Sequence, residues 1–418
     1  MISCRSPPTN TWMRCLRRNG EFQLPVASNQ FPVGRFRLGL RVLNWRLETG
    51  NWKLQTNPVL TDTDYMALAL ALAERGRGRT SPNPMVGAIV VDREGVVVGR
   101  GAHEFAGGPH AEIQALRDAG IRARGATLYC TLEPCNHVGR TGPCAPAVAD
   151  AAVARVVIAT GDPNPLVSGA GIEFLRGRGI DVTTGILDAE ARALNRPFMS
   201  VMTRRRPFVT IKVALSADYR IAERPGVQTH LTGAAANRLI HFDRAEVDAI
   251  AVGAGTVLAD NPRLTARGAF RHRPLVRIVF DTRLRIPPSA KLFSTLDAGP
   301  VIIVSTRAVV ETAPERADML ARAGAEILAV AGEPRLRGAL EQLAARGISS
   351  VIVEGGVALH RAFWDAGLVD CVQVYITPRR LGSAGLEWLP FPLPGLGITL
   401  TRTLGADTLA EAYVHGAD

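Results

Sequence analysis

The residues best suited to chemistry are a few metal-binding types in the first half of the chain. His110 is followed two positions later by Glu112, and Cys135 and Cys144 lie downstream. One imidazole and two thiolates make a nitrogen–sulfur ligand set that suits Zn²⁺. Three protein ligands leave a fourth position for water, and zinc lowers the pKa of that water towards neutrality. Glu112 is then expected to shuttle protons rather than to bind the metal.

The spacing of His110 and Glu112 restricts where such a site can lie. In the middle of a helix, residues i and i+2 point about 200° apart, so these side chains can cooperate only at a helix start. The Gly-Gly-Pro sequence directly before His110 suits a helix start. Cys144 is also predicted to begin a helix, where the N-terminus favours a thiolate.

Two alternatives for this cluster are a closed structural zinc site and a zinc protein without enzymatic activity. A closed site needs a fourth protein ligand, for which Cys130 and His137 are the candidates. Cys130 lies in an alternating, strand-like segment and is expected in the core. His103 has no partner that its spacing identifies, and it is expected to be structural or peripheral to the site.

The segments around these residues predict alternating helices and strands, which indicate an α/β layer architecture. In the first half, helices are predicted over 64–75, near 110–119 and from Cys144, strands over 85–91, 96–99, 126–132 and 155–160, and a last α/β pair to about residue 200. The basic residues 204–207 are predicted to form a linker. In the second half, strands are predicted near 208–214, 248–253, 276–280, 301–305, 326–330, 349–353 and 371–377.

The net charge of +11 over 418 residues is concentrated at the start of the chain. Residues 1–60 hold nine Lys/Arg and two acidic residues, a net +7, and lack any period, so a poorly ordered basic extension is predicted. The mildly basic remainder does not require a nucleic-acid partner and fits a phosphorylated small substrate. Six cysteines do not make a disulfide scaffold, and no apolar run is long enough to cross a membrane, so a cytoplasmic protein is expected.

Two glycine pairs in the second half each follow a predicted strand. The first, Gly253 and Gly255, lacks the third glycine of a dinucleotide-binding fingerprint. The second, Gly355 and Gly356, precedes a predicted helix, whose N-terminus could bind a pyrophosphate. A tight turn is the alternative for either pair.

Two stretches of the first half resemble the deaminase of the bifunctional riboflavin-biosynthesis family. The sequence TLEPCNHVGRTGPC over 131–144 is similar to the family pattern TLEPCxHxGxTxPC, and SPNPMVG over 81–87 is similar to its PNPxVG loop. Nucleobase deaminases carry H-x-E and P-C-x-x-C, whereas this chain has eight residues between its cysteines. The resemblance implies a cytidine-deaminase-like three-layer α/β/α domain over 61–204 and a dihydrofolate-reductase-like α/β domain over 207–418.

The resemblance also assigns roles in the first half. Glu112 would donate and accept protons, beside zinc ligands His110, Cys135 and Cys144. Substrate contacts would come from Asn83, His137 and Arg140. A side-chain amide such as that of Asn83 can both donate to and accept from a pyrimidine, although a turn between two prolines explains Asn83 as well.

The second half resembles the reductase of the same family over 252–267 and 353–370. The resemblance implies substrate contacts at Arg244, Leu264, Arg267 and Glu354, and NADPH contacts at Ala214, His230, Thr256, Asp260, Gly355 and Gly356. Paired arginines suit a phosphate ester, and the cofactor supplies the hydride for reduction at C1 of the opened ribose. Lys212 and Asp218 would orient the substrate or simply finish a strand and turn.

Three residues depart from the family pattern, and two of them, His230 and Asn237, match positions near the family's cofactor side. Tyr219 replaces a glycine, which predicts strain wherever the turn requires a positive φ. His230 replaces a tryptophan and Asn237 an arginine. These departures keep open the alternative of a deaminase whose reductase half has only a structural or dimerising role.

The resemblance therefore implies a bifunctional enzyme with one Zn²⁺ per chain and NADPH. It would deaminate 2,5-diamino-6-(ribosylamino)pyrimidin-4-one 5′-phosphate and then reduce the ribosyl chain to ribityl. We expect a phosphorylated pyrimidine as substrate, no nucleic-acid or membrane partner, and a homo-oligomer, either a dimer or a tetramer. A nucleic-acid deaminase is a further alternative, but it would need a basic face with aromatic side chains.

Overall fold

The computed structural model describes residues 60–137, 142–164, 167–332, 335–390, 393 and 396–414. These residues belong to a compact unit, Thr56–Asp418. The predicted basic extension over residues 1–60 lies outside the described residues except for Leu60, and Arg140 lies outside them too.

The first half of the described chain alternates helices and strands. Its helices are α1 (Asp62–Ala73), α2 (Ala111–Ala119), α3 (Cys144–Asp150), α4 (Ala170–Gly177), α5 (Asp188–Leu194) and α6 (Arg196–Arg204), with 3₁₀ turns at Glu74–Gly76 and Gly120–Ala123. Its strands are β1 (Gly87–Val91), β2 (Val97–Ala102), β3 (Thr127–Leu132), β4 (Arg155–Thr160) and β5 (Asp181–Thr184). Within the described residues they form a sheet in the order β2-β1-β3-β4-β5, antiparallel across β2, β1 and β3 and parallel from β3 to β5.

Helices cover both faces of this sheet. On one face Leu128 and Ile158 pack with apolar residues of α2, α3 and α6. On the other face Tyr129 and Val157 pack with α1 and α5. The three-layer α/β/α prediction is therefore confirmed, and so is the core position of Cys130, which is fully buried in β3.

The second half is built on a larger sheet. Its helices are α7 (Ala234–Glu246), α8 (Ala254–Asp260), α9 (Arg307–Thr312), α10 (Pro314–Arg322), α11 (Arg335–Ala345) and α12 (Val357–Asp365), with a 3₁₀ segment at Lys291–Ala298. Its strands are β6 (Phe208–Leu215), β7 (Arg220–Ala222), β8 (Ala249–Gly253), β9 (Val276–Phe280), β10 (Val301–Thr306), β11 (Ala325–Val330), β12 (Ser350–Val353), β13 (Cys371–Ile376), β14 (Leu386–Glu387), β15 (Leu400–Leu404) and β16 (Asp407–Tyr413). In the part of the chain that is described, the main sheet runs β11-β10-β9-β8-β12-β6-β13-β16-β15.

This sheet is parallel from β11 to β13 and ends in the antiparallel strands β16 and β15. Helices α11 and α12 pack on one face, and α8 and α10 pack on the other. The seven strands of this sheet that the sequence predicted, β6, β8, β9, β10, β11, β12 and β13, lie within about one residue of their predicted bounds, because each is rich in the apolar residues that parallel sheets bury. The short strand β7 was not predicted.

The predicted linker is a partly buried connection. Helix α6 ends at Arg204 and β6 begins at Phe208. Between them Arg206 is 3% exposed and donates from two guanidinium nitrogens to the two carboxylate oxygens of Asp370, at 2.5 and 2.8 Å. Arg204 binds the same carboxylate at 2.5 Å. Arg204 and Arg206 therefore satisfy a buried acid, whereas Arg205 between them is exposed.

Candidate active sites

The start of helix α2 gives His110 and Glu112 their relative positions. His110 is the N-cap residue with extended backbone angles, and Glu112 lies in the first turn with 4% exposure. The spacing argument for a helix start is thereby confirmed. Glycine in β2 allows the close packing of α2, because a Cβ on Gly101 would lie 2.0 Å from the carbonyl oxygen of Ala111.

Three potential ligands converge beside this helix end. The Nδ1 of His110 lies 3.1 Å from the Sγ of Cys144 and 3.6 Å from the Sγ of Cys135. The candidate donor atoms of the three residues all lie within 4.8 Å of one another. Among the described residues, no fourth His, Cys, Asp or Glu joins this group. The donor set fits zinc with one vertex left for water, whereas a closed structural site lacks its fourth ligand.

The electrostatics of the cluster favour metal binding and proton transfer. A hydrogen bond with Cys144 and the nearby His110 hold the pKa of Cys135 at about 4, so this sulfur is a ready thiolate. The same pairing raises the pKa of Cys144, because two thiolates repel each other without a cation between them. Burial raises the pKa of Glu112 to about 7, in the range suited to a general acid and base.

The cluster opens into a cavity of about 380 Å³. Asn83 and His137, both predicted to contact substrate, line it together with His103. The Nδ2 of Asn83 lies 3.2 Å from the Nε2 of His103, whose Nδ1 lies 3.1 Å from the carbonyl oxygen of Pro109. If His103 donates from Nδ1 to this carbonyl, its Nε2 accepts from the Asn83 amide. His103 therefore anchors Asn83, which the sequence spacing could not reveal.

Several cavity residues were not predicted from the sequence. The additional lining residues include Glu133, Asp162, Asn164, Phe198 and Met202. Glu133 accepts backbone hydrogen bonds from Gly169 and Gly171 at 3.0 Å each, and so fixes the loop that leads into α4. The position of Glu133 between Leu132 and Pro134 in the TLEPC motif is the sequence feature that could have identified it as a site residue.

The predicted substrate residues of the second half also come together. Arg244 donates to both carboxylate oxygens of Glu354, at 2.8 and 2.6 Å, and to the carbonyl oxygen of Thr265 at 3.2 Å. Next to Thr265, Leu264 is buried at φ 55°. Burial alone would raise the pKa of Glu354, but the positive charges of Arg244 and Lys212 hold it at about 2.

The predicted phosphate arginine Arg267 is exposed, and its backbone N–H donates to His241 Nδ1 at 3.2 Å. Burial and the neighbouring Arg244 and Arg267 lower the pKa of His241 to about 4. The guanidinium groups of Arg244 and Arg267, next to an exposed surface, suit a phosphate ester.

The predicted cofactor residues form a glycine-lined edge. Gly355 has φ 111°, and a Cβ there would lie 2.5 Å from the Oγ1 of Thr256, so only glycine fits. Gly356 begins α12 as its N-cap residue and donates its N–H to Thr256 Oγ1 at 3.2 Å. Of the other predicted positions, His230 is exposed, Asp260 is half-buried within the electrostatic influence of His230, and Ala214 lies half-buried in β6.

The residues that depart from the family pattern are accommodated locally. Tyr219 occupies the left-handed region at φ 61°, as predicted for the replaced glycine. Asn237 turns back to Thr232, donating to its carbonyl oxygen at 2.9 Å. Asp218 accepts from the N–H of Gly382 at 2.8 Å, so it joins its own turn to a loop 164 residues later in the chain. Lys212 lies with its Nζ 5.5 Å from the ring centre of Tyr375.

Two family models match the two halves in order. The cytidine and deoxycytidylate deaminase zinc-binding region matches residues 60–160, and the RibD C-terminal domain matches residues 207–400. Among the described residues, no helix has both the length and the apolar character needed to span a bilayer.

Relatives match across both halves. The riboflavin biosynthesis protein RibD of Aquifex aeolicus is 42% identical over 77% of this chain and 88% of its own length, and that of Escherichia coli is 40% identical over 79% and 92%. The Acinetobacter baumannii RibD structure superposes with a TM-score of 0.74 at 34% identity, covering 84% of this chain and 98% of the other. A Thermotoga maritima diaminohydroxyphosphoribosylaminopyrimidine deaminase/5-amino-6-(5-phosphoribosylamino)uracil reductase gives 0.73 at 32% identity, with the same coverage. The chain belongs to the family of riboflavin biosynthesis proteins RibD, which join a zinc-dependent deaminase to a reductase.

Proposed function

We propose that the first half deaminates 2,5-diamino-6-(ribosylamino)pyrimidin-4-one 5′-phosphate with one zinc ion, held by His110, Cys135 and Cys144. The convergence of these three donors beside Glu112, at the end of a cavity, is the observation that carries the proposal. When bound, zinc supplies an activated water near neutral pH. The relatives' names and the matching deaminase model support the same reaction class.

Glu112 moves the protons of this reaction. Its carboxylate takes one proton from the attacking water and delivers it to the ring nitrogen. It then takes the remaining proton of the added hydroxyl group and delivers it to the leaving amine, so that the C–N bond breaks, the carbonyl forms and ammonia departs. Burial supports this role, because a carboxyl group with a pKa of about 7 exchanges protons readily at neutral pH. Asn83, held by His103, binds the polar edge of the pyrimidine. His137 and Arg140 contact the ribose phosphate end.

The second half reduces the deaminated product, and NADPH supplies the hydride. Arg244, Leu264, Arg267 and Glu354 bind the substrate in this proposal. The cofactor lies along Ala214, His230, Thr256, Asp260, Gly355 and Gly356. The N-terminus of α12 supports this placement, because glycines at a helix N-terminus let a pyrophosphate approach the backbone closely. The family match over 207–400 supports an active reductase, and the alternative of a merely structural half gains no support.

One incubation tests both steps. Purified protein is mixed with the diaminopyrimidine phosphate, with and without NADPH. We expect ammonia release in both samples and loss of NADPH absorbance only after deamination. Absence of ammonia would overturn the deaminase assignment, and NADPH that stays unoxidised with deaminated substrate would overturn the reductase assignment.

We infer that the protein is cytoplasmic and forms a homo-oligomer. Its substrate is a phosphorylated pyrimidine, and it needs no nucleic-acid partner. We also propose a division into domains over 61–204 and 207–418, which the separate sheets of the two halves support. Sedimentation of the purified chain distinguishes a dimer or tetramer from a monomer.

A further inference from the structure

The loop that carries Asn83 is held by residues of the other half of the chain. We call residues 78–85 the Asn83 loop. Arg273, which precedes β9, donates to the carbonyl oxygen of Ser81 at 2.8 Å and to that of Gly78 at 3.4 Å. The Ser81 hydroxyl donates to Asp248 Oδ2 at 2.7 Å. One guanidinium therefore ties down two carbonyls of a loop that lies almost 200 residues earlier in the chain.

Asp248 gives this attachment a rigid base. Its carboxylate is 5% exposed and pairs with Arg273. It also accepts from the backbone N–H and the hydroxyl of Ser349, at 2.8 and 2.7 Å. Because these partners lie next to the parallel strands β8 and β12, the Asn83 loop is fixed to the central strands of the reductase sheet.

A second wall of the deaminase cavity is attached to the same half. Phe198 and Met202 of α6 line the cavity. At the start of this helix the guanidinium of Arg196 lies 3.7 Å from the ring centre of Tyr413, and its last residue, Arg204, binds Asp370. Two cavity walls therefore depend on contacts with the second half, whereas the metal ligands all come from the first.

We propose that Arg273 is a positioning residue of the deaminase: from the reductase half, it holds the Asn83 loop at the correct distance from the metal cluster. The inference rests on the proposed substrate contact of Asn83. Arg273 touches no reacting atom, so it acts through the loop. Deaminase substrate affinity thus depends on the folded reductase half, even though hydride transfer plays no part in it.

The test separates binding from chemistry. Replacing Arg273 by alanine releases two carbonyls of the loop but leaves the zinc ligands and Glu112 in place. We expect KM for the diaminopyrimidine phosphate to rise about tenfold, kcat to stay within about twofold, and zinc content and reduction of deaminated substrate to be unchanged. The matched control is Arg316→Ala, because this guanidinium also binds carbonyls, those of Leu284 and Ile286, entirely inside the reductase half.

A double-variant cycle shows whether the effect passes through Asn83. In an Asn83→Ala background, Arg273→Ala is expected to add little, since the contact it positions is already gone. Full additivity, or a KM for Arg273→Ala equal to that of Arg316→Ala, overturns the inference. An Asn83→Ala variant with normal KM removes the proposed role of Asn83 and the inference with it. These outcomes are distinguishable because Asn83→Ala is measured alone.

A conservative variant keeps the test valid if Arg273→Ala does not fold. Arg273→Lys retains a positive charge beside Asp248 but loses the planar fork that reaches two carbonyls. Its KM should rise by a smaller factor than in the alanine variant, with reduction unchanged. If Arg273→Ala is unfolded and Arg273→Lys is folded, an unchanged KM for the Arg273→Lys protein contradicts the proposal.

Discussion

In the deaminase half, the reactive side chains are buried and already converge, with three donor atoms within 4.8 Å and Glu112 behind them. In the reductase half, the proposed cofactor edge is formed by glycines and exposed or half-buried side chains, and the proposed substrate site contains the buried ion pair of Arg244 and Glu354. A catalytic metal is held by several side chains that must converge on one point, whereas a dinucleotide brings its own reactive atom and needs a surface where the protein backbone can approach it.

This difference shows where substitutions should matter. In the deaminase half, a change of one functional group on a buried catalytic side chain should nearly eliminate deamination and leave the reduction intact. In the reductase half, the same kind of change should alter stability and binding together, because the buried pair both supports the fold and faces the site.

The largest expected effect is that of Glu112→Gln, which keeps the shape of the side chain and removes its proton-transfer capacity. Deamination should fall by roughly 10³-fold, in the range that general acid–base catalysis contributes. Zinc content and reduction of deaminated substrate should not change. Ammonia release, metal analysis and NADPH oxidation on one preparation check this. Deamination within about tenfold of the unaltered protein would contradict the role of Glu112.

Next in size is the effect of Arg244→Ala, which leaves the Glu354 carboxylate buried without its partner. Breaking a buried pair in this way is expected to cost about 3–5 kcal/mol of unfolding free energy, and reduction should be lost with substrate binding. The variant carrying both Arg244→Met and Glu354→Gln should recover much of the stability but not the reduction. Urea unfolding followed by fluorescence measures the first effect. Equal stability of the Arg244→Ala and unaltered proteins would show that the pair is not buried.

A smaller effect is expected in the pH dependence of that pair. The pKa of Glu354 falls from 4.5 to about 2 on folding, so its stabilisation is fully present above about pH 5 and is lost as pH falls towards 2. The difference in unfolding free energy between the unaltered protein and Glu354→Gln should therefore shrink between about pH 6 and about pH 3. A constant difference across this range would contradict the depressed pKa.

The smallest effect is predicted for Tyr219→Gly, which relieves a left-handed backbone at φ 61°. The gain should be at most about 1 kcal/mol, because glycine also adds freedom to the unfolded chain. Thermal unfolding measures this change, and steady-state kinetics should show nearly the same KM for NADPH. Clear destabilisation would mean that the tyrosine ring contributes more than the strain removes.

The sequence was informative wherever a local pattern determines the structure. The i,i+2 spacing of His110 and Glu112 required a helix start, and the apolar run at β4 gave its bounds of 155–160. The hairpin of β15 and β16 was missed, because β15 alternates threonine and arginine on a half-exposed edge.

Long-range polar contacts could not be predicted. Arg206 is buried because Asp370, 164 residues away, accepts its hydrogen bonds. The anchoring of Asn83 by His103 likewise depends on the pairing of strands. Neither contact can be recognised from residue spacing or composition, because the residues that form it are common polar types that occur in many other places in the chain.

The central claim is that zinc is held by one imidazole and two thiolates, with one position open to solvent. X-ray absorption at the zinc edge of the purified chain tests it most directly. We predict one zinc per chain with two sulfur neighbours at about 2.3 Å and two lighter neighbours at about 2.0–2.1 Å, one of which is replaced when a substrate analogue is added. A third or fourth sulfur neighbour, or a spectrum that the analogue leaves unchanged, would contradict the account.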